Sequence, residues 1–265
     1  MKQISILGCG WLGFPLAKKF VKEGYKVKGA TTSEVKLQTL KKSGIDPFQI
    51  FITSEGIQGE IETFLKSEIL VVNLPPKAGT DSPEDFPQKM QDLIKFIEKS
   101  KVKNVIFVSS SSVYQDGPDF PVYTENDEPN STNSEALISA EKLFFQNRQF
   151  KTTILRFGGL VGCDRHPIQY LSGKTEVKNP LAPVNLISQE DCIEIILKIV
   201  QNSVWNRVFN AVYPQHTSRE DYYTLKAIEK GLELPVFDFE KKSQGKIMDS
   251  GFLKAELDFE FQYPV

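Results

Sequence analysis

Three glycines near the start of the chain have the spacing of a phosphate-binding loop. Gly8, Gly10 and Gly13 stand in G-x-G-x-x-G register within ILGCGWLGFPLA, after a strand-like apolar run and before a segment with helical periodicity. The first glycine permits a tight turn, the second lets a pyrophosphate approach the backbone, and the third lets the helix pack close to the strand. A helix N-terminus also attracts an anion. The motif predicts a dinucleotide site that includes Trp11 and Leu12.

The end of the second predicted strand indicates which dinucleotide is bound. An NAD site usually has an Asp or Glu about 20 residues after the glycines, where it holds the ribose 2′-hydroxyl. Here the segment GATTSEVK places Thr31, Thr32 and Ser33 at that position. Hydroxyl groups can donate to a 2′-phosphate, which a carboxylate would repel, and Lys36 adds positive charge one helical turn later. The sequence therefore favours NADP over NAD.

A serine-rich run in the middle of the chain is the second candidate for chemistry. The run VIFVSSSSVYQDG begins as a buried strand and continues as a polar turn with four serines and a tyrosine. A serine at a strand tip can present a reacting hydroxyl, or it can cap the next loop. The residues of the run leave both interpretations open.

Strand-like and helical patterns alternate along the chain and predict the elements that position these residues. The predicted strands cover residues 3–8, 25–31, 47–51, 68–75, 104–110 and 152–158, and the predicted helices cover 11–24, 33–44, 82–100 and 134–147. This alternation predicts an α/β fold with a doubly wound parallel sheet. Ser33 is the expected N-cap of the second helix.

Beyond Phe157 the regular alternation ends. The predicted strands there are 182–188, 206–212 and 234–240, and the predicted helices are 189–202, 218–231 and a last one near 249–257. We therefore expect a dinucleotide-binding domain over residues 1–160. Residues 161–265 should form a smaller α/β substrate lobe, interleaved with the last elements of the first domain.

Composition excludes several classes of function. The 265 residues are 40% hydrophobic and 25% charged with a net charge of -2, which is typical of a soluble globular protein and leaves no electrostatic footprint for nucleic acid. The apolar runs are too short to cross a bilayer, and the chain enters a strand without a signal peptide. Cys9, Cys163 and Cys192 lack metal-ligand spacing and indicate free thiols in a reducing compartment. We expect a cytoplasmic protein without nucleic-acid, membrane or metal partners.

Further motifs follow the glycine loop in order along nearly the whole chain. They are VVNLPP, VIFVSSSSVYQDG, YTENDEP, SAEKLF, ILRFGGLVG, VNLISQEDCIEIILKIV and RVFNAV. Together they resemble the extended short-chain dehydrogenase/reductase superfamily, the NAD-dependent sugar-nucleotide epimerases and dehydratases. The glycine loop is one residue shorter than usual there, which is similar to an atypical branch related to the bacterial YeeZ-type proteins. The resemblance implies a Rossmann fold with a small C-terminal substrate lobe.

The resemblance also implies a catalytic Ser-Tyr-Lys set, of which only the serine is in place. The serine position, four residues before the tyrosine of the VY pair, falls on Ser110. Aligning the A-E pair of the following helix puts the tyrosine position at Asn133 and the lysine position at Leu137. Asn does not titrate and Leu carries no charge, so neither replaces its counterpart. Tyr114 is the alternative proton donor, and its competing interpretation is packing.

Other cofactor contacts are implied by the resemblance. Asn73, Leu74 and Pro75 follow the fourth strand, where that fold passes beneath the adenosine and the nicotinamide ribose. Phe157 and Gly158 are expected to line the nicotinamide side.

Lys77, Arg165 and His166 are the candidate substrate-binding residues, although a solvated lysine and a surface-loop histidine explain two of them equally well. Arg156 is expected to have a structural ion-pair role.

The sequence thus leads to two functional hypotheses. The first is an NAD(P)-binding oxidoreductase-like or sugar-nucleotide epimerase/dehydratase-like protein with an incomplete Ser-Tyr-Lys site and an unknown substrate. The second is a catalytically silent dinucleotide-binding protein with a regulatory or structural role. The expected partners are a small-molecule substrate, with a nucleotide sugar as one candidate, and a second copy of the chain in a homodimer.

Overall fold

The structure, a computed structural model, describes residues 2–76 and 82–265. The strands in chain order are β1 (Gln3–Leu7), β2 (Lys26–Thr31), β3 (Asp46–Gln49), β4 (Phe51–Thr53), β5 (Gly56–Gln58), β6 (Ile69–Val72), β7 (Asn104–Ser110), β8 (Val122–Tyr123), β9 (Lys151–Phe157), β10 (Gly159–Val161), β11 (Leu186–Ser188), β12 (Val208–Ala211) and β13 (Ile247–Met248). The helices are α1 (Gly13–Lys22), α2 (Glu34–Lys42), α3 (Ile61–Phe64), α4 (Phe86–Glu98), α5 (Glu135–Phe145), α6 (Ile168–Leu171), α7 (Gln189–Asn202), α8 (Arg219–Glu229) and α9 (Gly251–Leu257). Short 3-10 helices cover Pro83–Asp85, Ser111–Val113 and Thr132–Ser134.

A parallel sheet organises the fold, as the alternating pattern predicts. Within the described residues it has seven strands in the order β12-β9-β7-β6-β1-β2-β3. Ile4 of β1 lies opposite Val27 of β2 on one side and Ile69 of β6 on the other, and both pairings are parallel. The chain winds outward from β1 to β3 and then returns to β6, so the winding direction reverses beside β1. Ligands bind at such a switch point, at the carboxyl ends of the strands.

Apolar residues explain why the central strands are buried. All four residues of β6, Ile69–Val72, are buried, as are Ile4 and Ile6 of β1. Continuous apolar strands of this kind belong to sheets covered on both faces. Pro47 lies in β3, which is the edge strand of the sheet, where a missing N–H is tolerated.

The chain forms two compact units whose segments are interleaved in sequence. Unit 1 comprises Met1–Ser109, Ser134–Leu155 and Ile193–Val208. Unit 2 comprises Ser110–Asn133, Arg156–Cys192 and Phe209–Val265. The core of unit 2 includes Val161, Ile168, Val184, Leu186, Tyr222, Tyr223 and Ala227. Unit 2 therefore draws residues 110–133 from the region that the sequence assigns to the dinucleotide-binding domain.

Some short elements differ from the sequence prediction. Residues 234–240 form a single parallel bridge, Val177 with Phe237, instead of a strand. Pro235 lies within this segment, and Val236 N–H donates to Lys174 O at 2.9 Å. The predicted strand over 47–51 ends at Gln49, and Phe51 begins the β4–β5 hairpin. Elements of two to four residues, such as β8, β13 and α6, are too short to show a periodicity.

Candidate functional site

Two of the loop glycines are required by the backbone itself. Gly8 has a φ of 98°, and a side chain there would collide with the carbonyl oxygen of Asn73. A side chain at Gly13 would collide with the carbonyl oxygen of Gly8. These close approaches bring the carboxyl ends of β1 and β6 and the start of α1 together, which is the role that the spacing predicts for the first and third glycines.

Gly10 is different because nothing packs against it. It is exposed, and a side chain placed there would meet no atom within 4 Å. The first hydrogen bond of the following turn runs from Phe14 N–H to Gly10 O at 3.0 Å. The start of a helix is a position that favours an anion. Gly10 therefore has room beside it that Gly8 and Gly13 lack.

Asn73 holds the glycine loop from the neighbouring strand. Its side-chain N–H donates to Gly8 O at 3.0 Å, and its backbone N–H donates to Leu7 O at 2.9 Å. Leu74 is half-buried beside Gly8, whereas Pro75 is exposed. Asn73 therefore has a structural task in addition to any cofactor contact. Lys77 lies outside the described residues.

The hydroxyl-rich end of β2 forms a small turn. Thr31 Oγ1 accepts a hydrogen bond from Ser33 N–H at 3.2 Å, and Gln49 Nε2 donates to Thr32 O at 3.3 Å. Ser33 is the N-cap of α2, as predicted, but its side chain makes no capping hydrogen bond. The first carboxylate after the strand is Glu34, in the first turn of α2. The strand end itself is free of acidic residues.

Cys9, within the glycine loop, is buried. Burial raises the pKa of Cys9 to about 12, while a backbone hydrogen bond from Ala30 and the positive charge of Lys36 act in the opposite direction. Lys36 itself is exposed.

Two serines at the end of β7, Ser109 and Ser110, have different hydrogen-bond partners. Ser109 Oγ donates to Glu141 Oε1 at 2.5 Å, and both residues are buried. Ser110 Oγ accepts from Ser112 N–H at 3.1 Å. Among the described residues, no tyrosine hydroxyl makes a hydrogen bond with Ser110. The role of Glu141 as the buried partner of a strand serine is not visible in the sequence.

Tyr114 is enclosed in a polar cluster of unit 2. Its hydroxyl donates to Thr124 O at 2.9 Å and accepts from Arg156 Nη1 at 2.5 Å. Its ring stacks on Tyr123 at 4.5 Å between centroids, and the Arg156 guanidinium lies over the ring at 5.1 Å. Burial raises the pKa of the nearby Glu125 carboxyl, whose oxygen accepts from Asn210 N–H at 2.8 Å. The single proton of the Tyr114 hydroxyl is thus already donated to Thr124 O.

Gly158 of unit 2 is also required by packing. A side chain there would lie 2.6 Å from Asn185 O and 2.7 Å from a methyl of Val212. The preceding residue, Phe157, is almost fully buried. Their predicted place beside the nicotinamide remains a prediction.

The two remaining substrate candidates occupy different environments. Arg165 is exposed and closes a tight turn, in which Gly162 N–H donates to Arg165 O at 2.8 Å. His166 is buried, its Nδ1 accepts from Ile168 N–H at 3.2 Å, and its Nε2 lies 2.9 Å from the Tyr222 hydroxyl. Burial, with Lys230 and Lys226 nearby, lowers the pKa of His166 to about 4. The imidazole is therefore neutral at pH 7 and joins the core of unit 2.

A pocket that the sequence analysis missed lies within unit 2. Its cavity volume is about 210 Å³, and its lining includes Asp116, Asn185, Arg219, Tyr223 and Lys246. One signal was present in the sequence, because Arg219 follows the N-cap Ser218 and so places a cation where a helix dipole disfavours one.

Among the described residues, no group of three or more His, Cys, Asp or Glu side chains could hold a metal ion. In the same residues no helix has the length and apolar character needed to span a membrane.

Comparison with known proteins agrees with this geometry. Residues 4–211 match the sequence profile of the NAD dependent epimerase/dehydratase family. The chain belongs to this family. It is also 32% identical over 267 residues to Protein YeeZ of Escherichia coli strain K12, covering 100% of this chain and 97% of that protein.

Two solved structures illustrate the fold that this chain shares with known proteins. A conserved protein of Silicibacter pomeroyi DSS with unknown function has a TM-score of 0.79 and 18% identity, covering 100% of this chain and 95% of that one. The UDP-glucuronic acid 4-epimerase of Bacillus cereus, in complex with UDP-glucuronic acid and NAD, has a TM-score of 0.77 and 18% identity, covering 99% and 95% of the two chains. At such identities the likeness shows the fold alone.

The structure gives the surroundings of the two residues at the positions where the resemblance implies the catalytic tyrosine and lysine. Asn133, at the expected tyrosine position, is exposed, and Leu137, at the expected lysine position, is buried in α5. Leu137 can contribute packing but no charge.

Proposed function

We propose that this protein is an NAD(P)-dependent oxidoreductase of the epimerase/dehydratase type that acts on a small-molecule substrate. The observation that carries the proposal is the contrast within the glycine loop. Gly8 and Gly13 have no room for a side chain, whereas Gly10 faces open space. A loop with two packed glycines and one open glycine, between a strand and a helix, suits the approach of a pyrophosphate.

The residues present in unit 1 fit a nicotinamide dinucleotide. The backbone of Gly10, Trp11 and Leu12 would hold the pyrophosphate, and residues 31–33 would meet the adenosine ribose. A bound nicotinamide supplies hydride transfer at its C4 atom. The chain's own task is then to orient the ring and the substrate and to exclude water. Ser110 is our candidate for the hydrogen bond to the substrate oxygen.

Within this proposal, NADP is the preferred cofactor. Thr31, Thr32 and Ser33 carry hydroxyls at the end of β2, and Lys36 adds a positive charge in the first turn of α2. These groups complement a 2′-phosphate, whereas the ribose of NAD usually meets a carboxylate there. Titration of the protein with NADPH and NADH tests both dinucleotide binding and the preference for NADP. Absence of binding by either dinucleotide would overturn the function, and stronger binding of NADH would overturn only the choice of NADP.

A nucleotide sugar is our first candidate for the substrate class. The Bacillus cereus epimerase of the same fold was solved with UDP-glucuronic acid and NAD, which supports testing this class before others. The experiment incubates the protein with NAD(P) and a panel of nucleotide sugars and follows absorbance at the reduced nicotinamide band and product formation by chromatography. Turnover of one panel member supports the proposal.

The Tyr114 hydroxyl favours a second candidate function, a silent dinucleotide-binding protein. Because this hydroxyl is bonded to Thr124 O and Arg156, it offers no ready replacement for the tyrosine missing at Asn133. Proton transfer by a positioned side chain typically contributes 10² to 10⁴ in rate. Tight cofactor binding without turnover on the whole panel would select this candidate over the first.

A further inference from the structure

The pocket of unit 2 is polar and small. Its volume of about 210 Å³ corresponds to roughly seven waters at about 30 Å³ each, below the roughly 300 Å³ at which pockets for drug-sized ligands begin. Charged lining residues are Asp116, Arg219 and Lys246, and the amides of Asn179 and Gln244 also contribute. The pocket can therefore enclose one polar group and a few attached atoms.

One hydrogen-bond donor of the Arg219 side chain lacks an acceptor among the described residues. Its Nε atom is buried, and no acceptor among the described residues lies within hydrogen-bond distance of it. A buried donor without a partner costs about 1–3 kcal/mol. Arg219 is also the first residue of α8, where the dipole disfavours a cation. The guanidinium is held by Tyr223, over whose ring it lies at 5.4 Å.

The backbone at the start of α8 does not offer a competing explanation. Arg219 N–H donates to Ala182 O and Glu220 N–H donates to Pro180 O, each at 2.9 Å. Asp221 N–H donates to Ser218 Oγ at 3.1 Å. The first N–H groups of this helix are thus already bonded, and the unsatisfied donor is on a side chain.

Lys246 brings a second cation to the pocket, and Asp116 partly neutralises it. Lys246 Nζ lies 3.0 Å from Asp116 Oδ1 and donates to Tyr114 O at 2.6 Å. The lysine side chain is 11% exposed and the aspartate side chain 50%. Asn185 fixes the lysine's backbone, since its Nδ2 donates to Lys246 O at 2.8 Å. With one carboxylate against two cations, the lining carries one net positive charge.

We propose that this pocket binds the carboxylate group of a small polar molecule, with Arg219 as the anchor and Lys246 as the second contact. A guanidinium presents parallel N–H donors that match a carboxylate in two places. One net positive charge complements a single negative charge better than the two charges of a pyrophosphate. This inference goes beyond the proposed function, because it concerns unit 2 alone and requires no cofactor.

Calorimetric titration with D-glucuronate, D-glucose and UDP-glucose in the absence of cofactor tests the assignment. We expect the wild type to bind D-glucuronate at least about tenfold more tightly than neutral D-glucose. Arg219→Gln should weaken glucuronate binding about 10- to 100-fold, the effect of removing a charge-assisted hydrogen bond. Arg219→Lys should restore part of it, since it keeps the charge without the fork. Arg148→Gln, which removes an exposed arginine of unit 1, is the matched control and should leave the affinity for D-glucuronate unchanged.

Asp116→Asn provides a test of opposite sign. Removing this carboxylate frees Lys246, so glucuronate should bind a few-fold more tightly, a gain that a structural role for the ion pair does not produce. Equal binding of glucuronate and glucose, or unchanged binding in a folded Arg219→Gln protein, would overturn the assignment. Arg219-dependent binding of UDP-glucose in preference to glucuronate would also overturn it, in favour of a pyrophosphate site.

Discussion

The hydroxyl of Tyr114 lies 2.5 Å from Nη1 of Arg156, and both side chains are buried in unit 2. The pair joins the turn after the serine run to the end of β9. This contact gives the tyrosine of the VY motif a structural role, because its hydroxyl also donates to Thr124 O.

Tyr114→Phe should therefore act on stability. Removing the hydroxyl takes away its hydrogen bonds with Thr124 O and Arg156 Nη1, at a cost of about 1–3 kcal/mol in the free energy of unfolding. Denaturant unfolding measures this loss. Tyr170→Phe is the control, since Tyr170 is 74% exposed and should change stability by less than about 0.5 kcal/mol. Equal stabilities of the two variants would contradict the prediction.

Gly8 and Gly10 should respond to substitution in opposite ways. Gly8→Ala forces a side chain into a positive φ and against Asn73 O, so we expect a loss of about 1–3 kcal/mol or more in stability. Gly10→Val places its side chain in open space and should preserve the fold while abolishing dinucleotide binding. Thermal unfolding and cofactor titration of both variants measure the two effects. A Gly10→Val protein that binds NADPH normally would refute the loop assignment.

The cofactor preference should be reversible at the end of β2. Thr31→Asp introduces the carboxylate that usually holds a ribose 2′-hydroxyl and repels a 2′-phosphate, so we expect at least a tenfold shift in the ratio of NADPH to NADH affinity towards NADH. Thr39→Asp, in the exposed part of α2, adds the same charge away from the strand end and should leave the ratio unchanged. The prediction fails if the wild type already prefers NADH.

His166 should make the protein less stable in mild acid. Its pKa is about 4 in the folded protein and about 6.5 when unfolded, so between these values the unfolded chain binds the additional proton. The stabilising contribution is complete above pH 6.5 and is lost as the pH falls towards 4, on the order of 3 kcal/mol in total. We expect the stability difference between wild type and His166→Gln to shrink from pH 7.5 to pH 5. A constant difference would argue against a buried neutral imidazole.

Arg219→Met should raise the melting temperature. The change removes a buried unsatisfied donor and a cation from the first turn of α8, and this outweighs the loss of about 0.5–1 kcal/mol from the contact with Tyr223. A net gain of about 1 kcal/mol corresponds to about 2–4 °C for a chain of this size. Calorimetry of this variant and of Arg148→Met provides the comparison, and a lower melting temperature would show that Arg219 stabilises the fold.

The sequence by itself determined the features that depend on neighbours along the chain. The spacing of Gly8, Gly10 and Gly13 can be read within a dozen residues, although the carbonyl that excludes a side chain at Gly8 belongs to Asn73, 65 residues away. The alternation of strands and helices likewise follows from local periodicity, so the parallel sheet could be predicted. The absence of tyrosine and lysine at positions 133 and 137 was equally readable.

Only the tertiary structure decided which polar groups meet across long separations. Ser109 and Glu141 are 32 residues apart, and Lys246 is 132 residues from the Tyr114 carbonyl that it binds. No spacing rule encodes such pairs, because their proximity depends on how distant segments fold back within one unit. The same reason applies to Tyr114 and His166, whose ring types suggest chemistry but whose burial gives them structural partners. It applies most clearly to Arg219, whose Nε is buried without an acceptor among the described residues and whose backbone N–H bonds Ala182 O.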